Sequence, residues 1–251
     1  MSVHISPLTL SGIDDLPPHV RRCVFWEMDP STLDDAKGFC DREFEKEAWL
    51  SMVMLEWGTC GQTATIGGKP AGSALYAPPR SVPRASTFPT SPAGADAVLL
   101  TSLRLEPIAT EFDLGTDLVR AVVRDLVRRG VRALEAFGIR TDGAATGSPD
   151  PLIRGPRGSA DCGHDDCMID ASFLERFGFD LVAPHDRFPR FRLELDGGHE
   201  WKEDVESALD QLLHEAAVSF ALERERVGAG SLGAHHVRAA RSVGGGKFLR
   251  E

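Results

Sequence analysis

Residues 96–107 read DAVLLTSLRLEP, 108–115 read IATEFDLG, 116–130 read TDLVRAVVRDLVRRG and 131–138 read VRALEAFG. An apolar run, a short loop closing on Gly115, an amphipathic helix and a second apolar run follow one another, which spells strand–loop–helix–strand. The strands are expected over 98–105 and 131–137. The helix, over 116–129, puts Leu118, Val119, Val122, Val123, Leu126 and Val127 on one face. Asp117, Arg120, Arg124, Asp125, Arg128 and Arg129 fall on the other. Arg128 and Arg129 lie in the last turn, where cations offset the helix dipole, and Gly130 is the stop. The loop lies where N–H groups at a helix start can hold an anionic ligand.

The flanking sequence extends this unit on both sides. Residues 1–20 read as extended or loosely packed. Residues 21–28, RRCVFWEM, are a short run of strand formers ended by Asp29-Pro30 and are expected to be the first strand. Ser31 or Thr32 caps a helix over about 34–55, in which Trp49, Met52, Val53 and Leu55 fall near helical spacing. A hairpin follows, with strands over 62–66 and 71–77 and a Gly67-Gly68 turn. Residues 80–95, with several Pro, Ser and Thr, are a loop: a surface insertion or the wall of a substrate site.

Residues 138–166 have no apolar period and read as a long loop. Asp170 or Ser172 caps a short helix over 173–177 that Gly178 ends, and strands cover 179–182 and 190–196. Residues 201–216 form an amphipathic helix extending to about 226. The Gly-rich tail after it is expected to be flexible. The expected organisation is a domain over 1–196, a C-terminal helix over 197–226 and a tail over 227–251.

The 251 residues carry a formal net charge of −10, which argues against broad nucleic-acid binding and against an anionic membrane surface. No apolar run approaches the ~20 residues of a membrane span. The N-terminal stretch lacks the basic-then-apolar pattern of a secretory signal. The five cysteines are odd in number and scattered, which suggests reduced thiols in a cytoplasm.

Two passages carry a family likeness. LRLEP followed by LGTDLVRAVVRDLVRRGVRALEAFG, and later ASFLERFGFDLV, resemble the GNAT superfamily of acyl-CoA N-acyltransferases over roughly residues 20–196. The resemblance implies an α/β (α+β) fold with a mixed, mostly antiparallel central sheet flanked by helices, here with a C-terminal helical extension. It also implies acetyl-CoA as cosubstrate. Leu103, Arg104 and Leu105 would offer backbone contacts to the pantetheine arm. Thr110, Glu111, Phe112, Asp113, Leu114, Gly115 and Thr116 would form the phosphate loop. Of the family's loop pattern, Gln or Arg, two residues, Gly, one residue, then Gly or Ala, only Gly115 matches. Glu111, Asp113 and Asp117 set carboxylates near the phosphate position. At ~4 Å and an effective dielectric near 20, each such pair would cost on the order of 4 kcal/mol, and much less if the acid faces water.

The tyrosine that many family members use to protonate the leaving thiolate is replaced by Leu174, and the sole tyrosine is Tyr76. Glu106 is the candidate catalytic base, with Glu135 a second. The run DCGHDDC (161–167) holds Cys162, His164 and Cys167, with His185 further on. Its spacing matches no standard zinc knuckle, and it reads as a polar loop with a buried Cys167 anchoring the next helix. No metal is expected.

Two functional readings lead, ahead of a small loop-metal protein, which ranks last. One is acetyl transfer from acetyl-CoA to a small-molecule or protein amine. The other is a catalytically inactive binding or regulatory protein of the same fold. The apolar stripe of the C-terminal helix calls for burial on its own domain, in a homodimer or against a partner. Neither a membrane nor a nucleic acid is an expected partner.

Overall fold

The computed structural model describes residues 2–35, 41–109, 112–140 and 163–195. The expected C-terminal helix and tail, most of the 138–166 loop, and Thr110 and Glu111 lie outside them. The strands are β1 (Val3–Pro7), β2 (Gly61–Ile66), β3 (Lys69–Ala77), β4 (Ala97–Leu105), β5 (Ala133–Ile139), β6 (Ile169–Asp170), β7 (Asp180–Ala183) and β8 (Arg190–Glu194). The helices are α1 (Pro18–Arg22), α2 (Pro30–Asp35), α3 (Arg42–Trp57), α4 (Leu114–Arg128), α5 (His164–Cys167) and α6 (Ala171–Phe177). The sheet runs β1-β2-β3-β4-β5-β8-β7, with β6 attached to β5. The β4–β5 and β5–β6 pairs are parallel and the rest antiparallel. A parallel pair needs a crossover, which α4 supplies. This is the expected mixed, mostly antiparallel sheet flanked by helices.

Two hydrophobic clusters lie on opposite faces. One joins α4 and α6 to the sheet through Leu114, Leu118, Val122, Leu126, Phe173 and Leu174. The other joins α1, α3 and the 80–95 segment through Val20, Trp26, Trp49, Val53, Val82 and Phe88. The 80–95 segment is thus ordered and packed. Phe88 stacks against Trp26 and Phe137 with centroids 5.3 and 5.0 Å apart, and the Trp49 indole N–H donates to the Ser81 carbonyl at 2.7 Å.

A bulge in β4 sets what each face receives. Its pairing with β3 shifts between Leu75 and Tyr76, leaving Thr101 as the extra residue. The Thr101 hydroxyl donates to the Leu75 carbonyl at 3.1 Å. In an unbroken strand, Val98 and Leu100 would face opposite to Leu103 and Leu105. One inserted residue reverses the parity. All four therefore join the α4 cluster, while Leu99 joins the other.

The expected first strand over 21–28 is not one. Pro18 opens α1 at its first position, where its fixed φ suits a helix. Val24, Phe25 and Trp26 follow in a turn, buried. A short apolar run does not by itself separate a strand from buried helix and turn. The first strand is instead β1. The expected helix over 34–55 corresponds to α2 and, beyond a short segment outside the described residues, α3. The cap of α3 is Asp41, whose carboxylate accepts from the Glu43 and Phe44 amides, not Ser31 or Thr32. At α6 the cap is Asp170, accepting from the Ser172 amide, and Gly178 closes the helix at φ 106°.

Asp125 does not belong with the solvent-facing residues of α4. It is 6% exposed. Its carboxylate accepts from the Tyr76 hydroxyl at 2.8 Å, from Arg129 at 3.2 Å and from Arg128 at 3.1 Å. Arg129 also donates to the Trp57 and Thr59 carbonyls at 2.6 and 2.8 Å and lies 3.5 Å over the Trp57 ring. One arginine thus ties the end of α4 to the α3–β2 turn.

Candidate functional site

The ladder between β4 and β5 covers only Ala97↔Ala133, Val98↔Leu134 and Leu99↔Glu135, whereas β3 follows β4 as far as Leu105. Beyond Leu99 the two parallel strands diverge. The Glu106 amide donates to the Ala71 carbonyl at 2.8 Å. Peptide groups alternate sides along a strand, so those of Leu103 and Leu105 point away from β3 towards the gap, and those of Arg104 point to β3. No strand among the described residues pairs with that edge of β4 beyond Leu99. The bulge at Thr101 falls where the strands part.

From this edge the chain passes through Pro107–Ala109 to α4. Leu114 and Gly115 are buried in the first turn, Phe112 and Thr116 are half-buried, and Asp113 is exposed. Asp113 is the N-cap residue, yet its carboxylate makes no bond to the helix amides. It accepts instead from the Thr116 hydroxyl at 2.8 Å, which keeps it over the first turn. Asp117, exposed, pairs with Arg120 at 3.4 Å.

On the α1 face of β4 lies a small cavity lined by His19, Cys23, Glu27, Ser102, Arg104 and Cys167. Ser102 and Arg104 reach this face because Leu103 and Leu105 take the other. Glu27 and Lys46 form a buried ion pair beside it. Burial pushes the Glu27 carboxyl above the ordinary carboxylate range, and the Lys46 ammonium pulls it back. The second Glu27 oxygen and the Ser102 hydroxyl have no partner among the described residues. Two unpaired buried polar atoms in so small a space suit a single water or an ion.

Glu106 follows β4 directly and is half-buried. Partial burial raises its carboxyl above the usual range, against the opposing charges of Arg104 and His19. Glu135, the second sequence candidate for a base, is already committed. It is buried and accepts from Arg190, from Arg192 at 3.0 Å and from the Gly94 amide at 3.1 Å. Tyr76 is fully buried beneath α4, and burial together with the Asp125 charge pushes its hydroxyl far up, so it is no proton donor to this cleft. His185 is also occupied: its Nδ1 accepts from the Arg187 and Phe188 amides at 3.1 and 3.0 Å.

Sequence reasoning passed over His19, Cys23, Glu27, Lys46 and Ser102. Two signals were present. His19 and Cys23 stand four apart just after Pro18, one turn of a helix. Lys46 shares the spacing of Trp49, Leu50 and Val53, a cation on an apolar stripe.

No family model matches the chain, and no curated protein matches it. Among solved structures, one described as a GNAT-family acetyltransferase from Desulfovibrio desulfuricans is 21% identical, covering 77% of this chain and 99% of its own, with TM-score 0.41. An N-acetyltransferase from Thermoplasma acidophilum in complex with coenzyme A is 12% identical, covering 77% and 99%, with TM-score 0.45. The ribosomal-protein-S18-alanine N-acetyltransferase of Escherichia coli is 15% identical, covering 79% and 97%, with TM-score 0.39. At such identities and overlaps the likeness carries no argument about activity. The fold rests on the chain's own topology: the sheet order, the α4 crossover and the diverging parallel pair make it GNAT-like.

Proposed function

We propose that this chain is an acyl-CoA N-acyltransferase that moves an acetyl group from acetyl-CoA to an amine on a small molecule or protein. The observation that carries the reading is the open edge of β4. The peptide groups of Leu103 and Leu105 face a gap that leads to the start of α4. An extended amide-bearing arm in that gap would complete the ladder that β5 abandons. The residues from Phe112 to Thr116 would meet the anionic end of such a cofactor with the N–H groups of the first helical turn. The amine nitrogen attacks the thioester carbonyl, the carbon–sulfur bond breaks, and the coenzyme leaves as a thiolate that takes a proton from solvent. Glu106 takes the proton that the amine loses. Its raised affinity for protons brings it nearer the range in which a carboxylate works as a base.

A second reading has its own observation. The Asp113 carboxylate stays over the first turn of α4, where it opposes a phosphate. A protein that has given up the cofactor and keeps the fold for binding would tolerate an acid there.

Thermal unfolding with acetyl-CoA separates the two readings. At 100-fold excess over its dissociation constant, a ligand stabilises the native state by ~2.7 kcal/mol. No shift at millimolar acetyl-CoA or CoA refutes the enzyme reading. If a shift is seen, Gly115→Glu abolishes it, and unchanged affinity in that variant refutes the loop assignment.

A further inference from the structure

The cavity beside β4 brings together three groups that no reading of the acyl-transfer chemistry uses. Cys23 Sγ and Cys167 Sγ lie 3.5 Å apart, and Cys167 Sγ lies 3.5 Å from His19 Nε2. One ligand atom from each of His19, Cys23 and Cys167 falls within 4.8 Å of the others. We propose that these three side chains form a binding site for a divalent cation of zinc-like softness, with its fourth coordination position turned to the cavity.

Geometry supports the assignment. Tetrahedral zinc has bonds of about 2.3 Å to sulfur and about 2.0–2.1 Å to nitrogen. Those bonds set neighbouring sulfurs roughly 3.8 Å apart, and a sulfur and nitrogen roughly 3.6 Å apart. The two observed separations are close to these edges. His19 and Cys23 are four apart at the end of α1, and the Cys23 amide donates to the His19 carbonyl at 2.9 Å, so one helical turn presents both. The same spacing places paired metal ligands on one helix face elsewhere. Cys167 arrives from the other side, at the end of α5. It is held by its amide on the Gly163 carbonyl at 3.0 Å and by the Trp26 indole N–H on its own carbonyl at 2.9 Å. Such outer contacts aim a ligand before the metal arrives.

Charge supports it as well. Two thiolates and a neutral imidazole cancel a dication, so the bound site adds no net charge to a buried position. On binding, each thiol passes its proton to solvent. A disulfide between Cys23 and Cys167 would leave His19 with no part in the cluster, whereas the metal uses all three groups. The donor set differs from the Cys162–His164–Cys167 run considered in the sequence, sharing only Cys167. The inference does not depend on the acyltransferase reading.

The test is a Co²⁺ titration of the reduced full-length protein, with Zn²⁺ as competitor. The expected result is about one equivalent bound, with intense visible bands of four-coordinate cobalt, thiolate-to-cobalt charge transfer in the near ultraviolet, and loss of both on adding zinc. Cys23→Ser and Cys167→Ser lose the charge-transfer band, and His19→Gln weakens binding at least tenfold. Cys60→Ser and Cys162→Ser keep it. Should a variant fail to fold, the wild-type protein supplies an independent readout. Iodoacetamide labelling of Cys23 and Cys167, read by mass spectrometry, rises with a chelator and falls with added zinc. The proposal is overturned by the absence of thiolate–cobalt bands in the wild type, by bands that survive Cys167→Ser, by their loss in Cys162→Ser, or by labelling indifferent to zinc.

Discussion

Replacing Asp125 by alanine tests whether a residue on the polar face of α4 is in fact a buried anchor. The Tyr76 hydroxyl, in a side chain with no exposed surface, would lose the acceptor it now has at 2.8 Å. A buried donor left without a partner costs about 1–3 kcal/mol. Arg129 would lose one contact but keep the Trp57 and Thr59 carbonyls. Arg128, with 68% of its side chain exposed, contributes below ~1 kcal/mol. The expected loss is therefore about 2–4 kcal/mol, and Asp125→Asn, which keeps a neutral acceptor, should lose about 1 kcal/mol. With an m-value of about 2 kcal/mol/M, urea unfolding should show a midpoint lower by roughly 1–2 M at unchanged slope. Tyr76→Phe completes a double-mutant cycle, with an expected coupling of about 0.5–3 kcal/mol. An Asp125→Ala midpoint indistinguishable from wild type would show that the carboxylate faces water. Strict additivity with Tyr76→Phe would show that the hydroxyl is bonded elsewhere.

Three other outcomes are expected. Lys46→Met strands the Glu27 carboxylate and should cost about 3–5 kcal/mol, whereas Lys46→Met with Glu27→Leu should recover most of it; equal losses in the single and double variants would contradict a buried pair. At Gly72 an added Cβ would sit 2.8 Å from Leu105, 3.0 Å from the Arg104 carbonyl and 3.2 Å from Leu118. Gly72→Ala should therefore destabilise by about 1–3 kcal/mol, and a neutral result would mean that β3 and β4 are not in this register. Because the folded protein holds Glu106 protonated to higher pH than the ordinary value of 4.5, the native state binds the extra proton, and stability falls as pH rises from 4.5 through the folded value. Glu106→Gln should flatten that fall in melting temperature against pH, and an unchanged profile would assign the fall to other groups. If the enzyme reading holds, the same variant also loses the acidic limb of the activity profile.

Much of the architecture was legible because it is written in local periodicity. The alternation of faces along 116–129 defines α4, glycines 67 and 68 punctuate the hairpin, and Asp170 and Gly178 bracket α6. These signals need only neighbours three or four residues away. The strand read over 21–28 failed for the converse reason: a short apolar run is compatible with several backbones, and Pro18 together with the packing of Trp26 against Phe88 decided among them. The candidate cofactor edge was placed in sequence at Leu103, Arg104 and Leu105, but the side each peptide group faces depends on the β3 register.

By itself, then, the sequence determined the elements around Asp96–Gly138, the helical stripe of α4 and the order of strands and helices from α3 to β5. Tertiary structure alone decided what those elements bring together. The Thr101 bulge sends Ser102 and Arg104 to the α1 face. Burial turns Asp125 from a surface acid into an acceptor for Tyr76. Cys23 and Cys167, 144 residues apart, meet beside His19. Periodicity is a property of neighbours along the chain, whereas parity across a bulge, burial and the meeting of distant donors belong to strand pairing and packing.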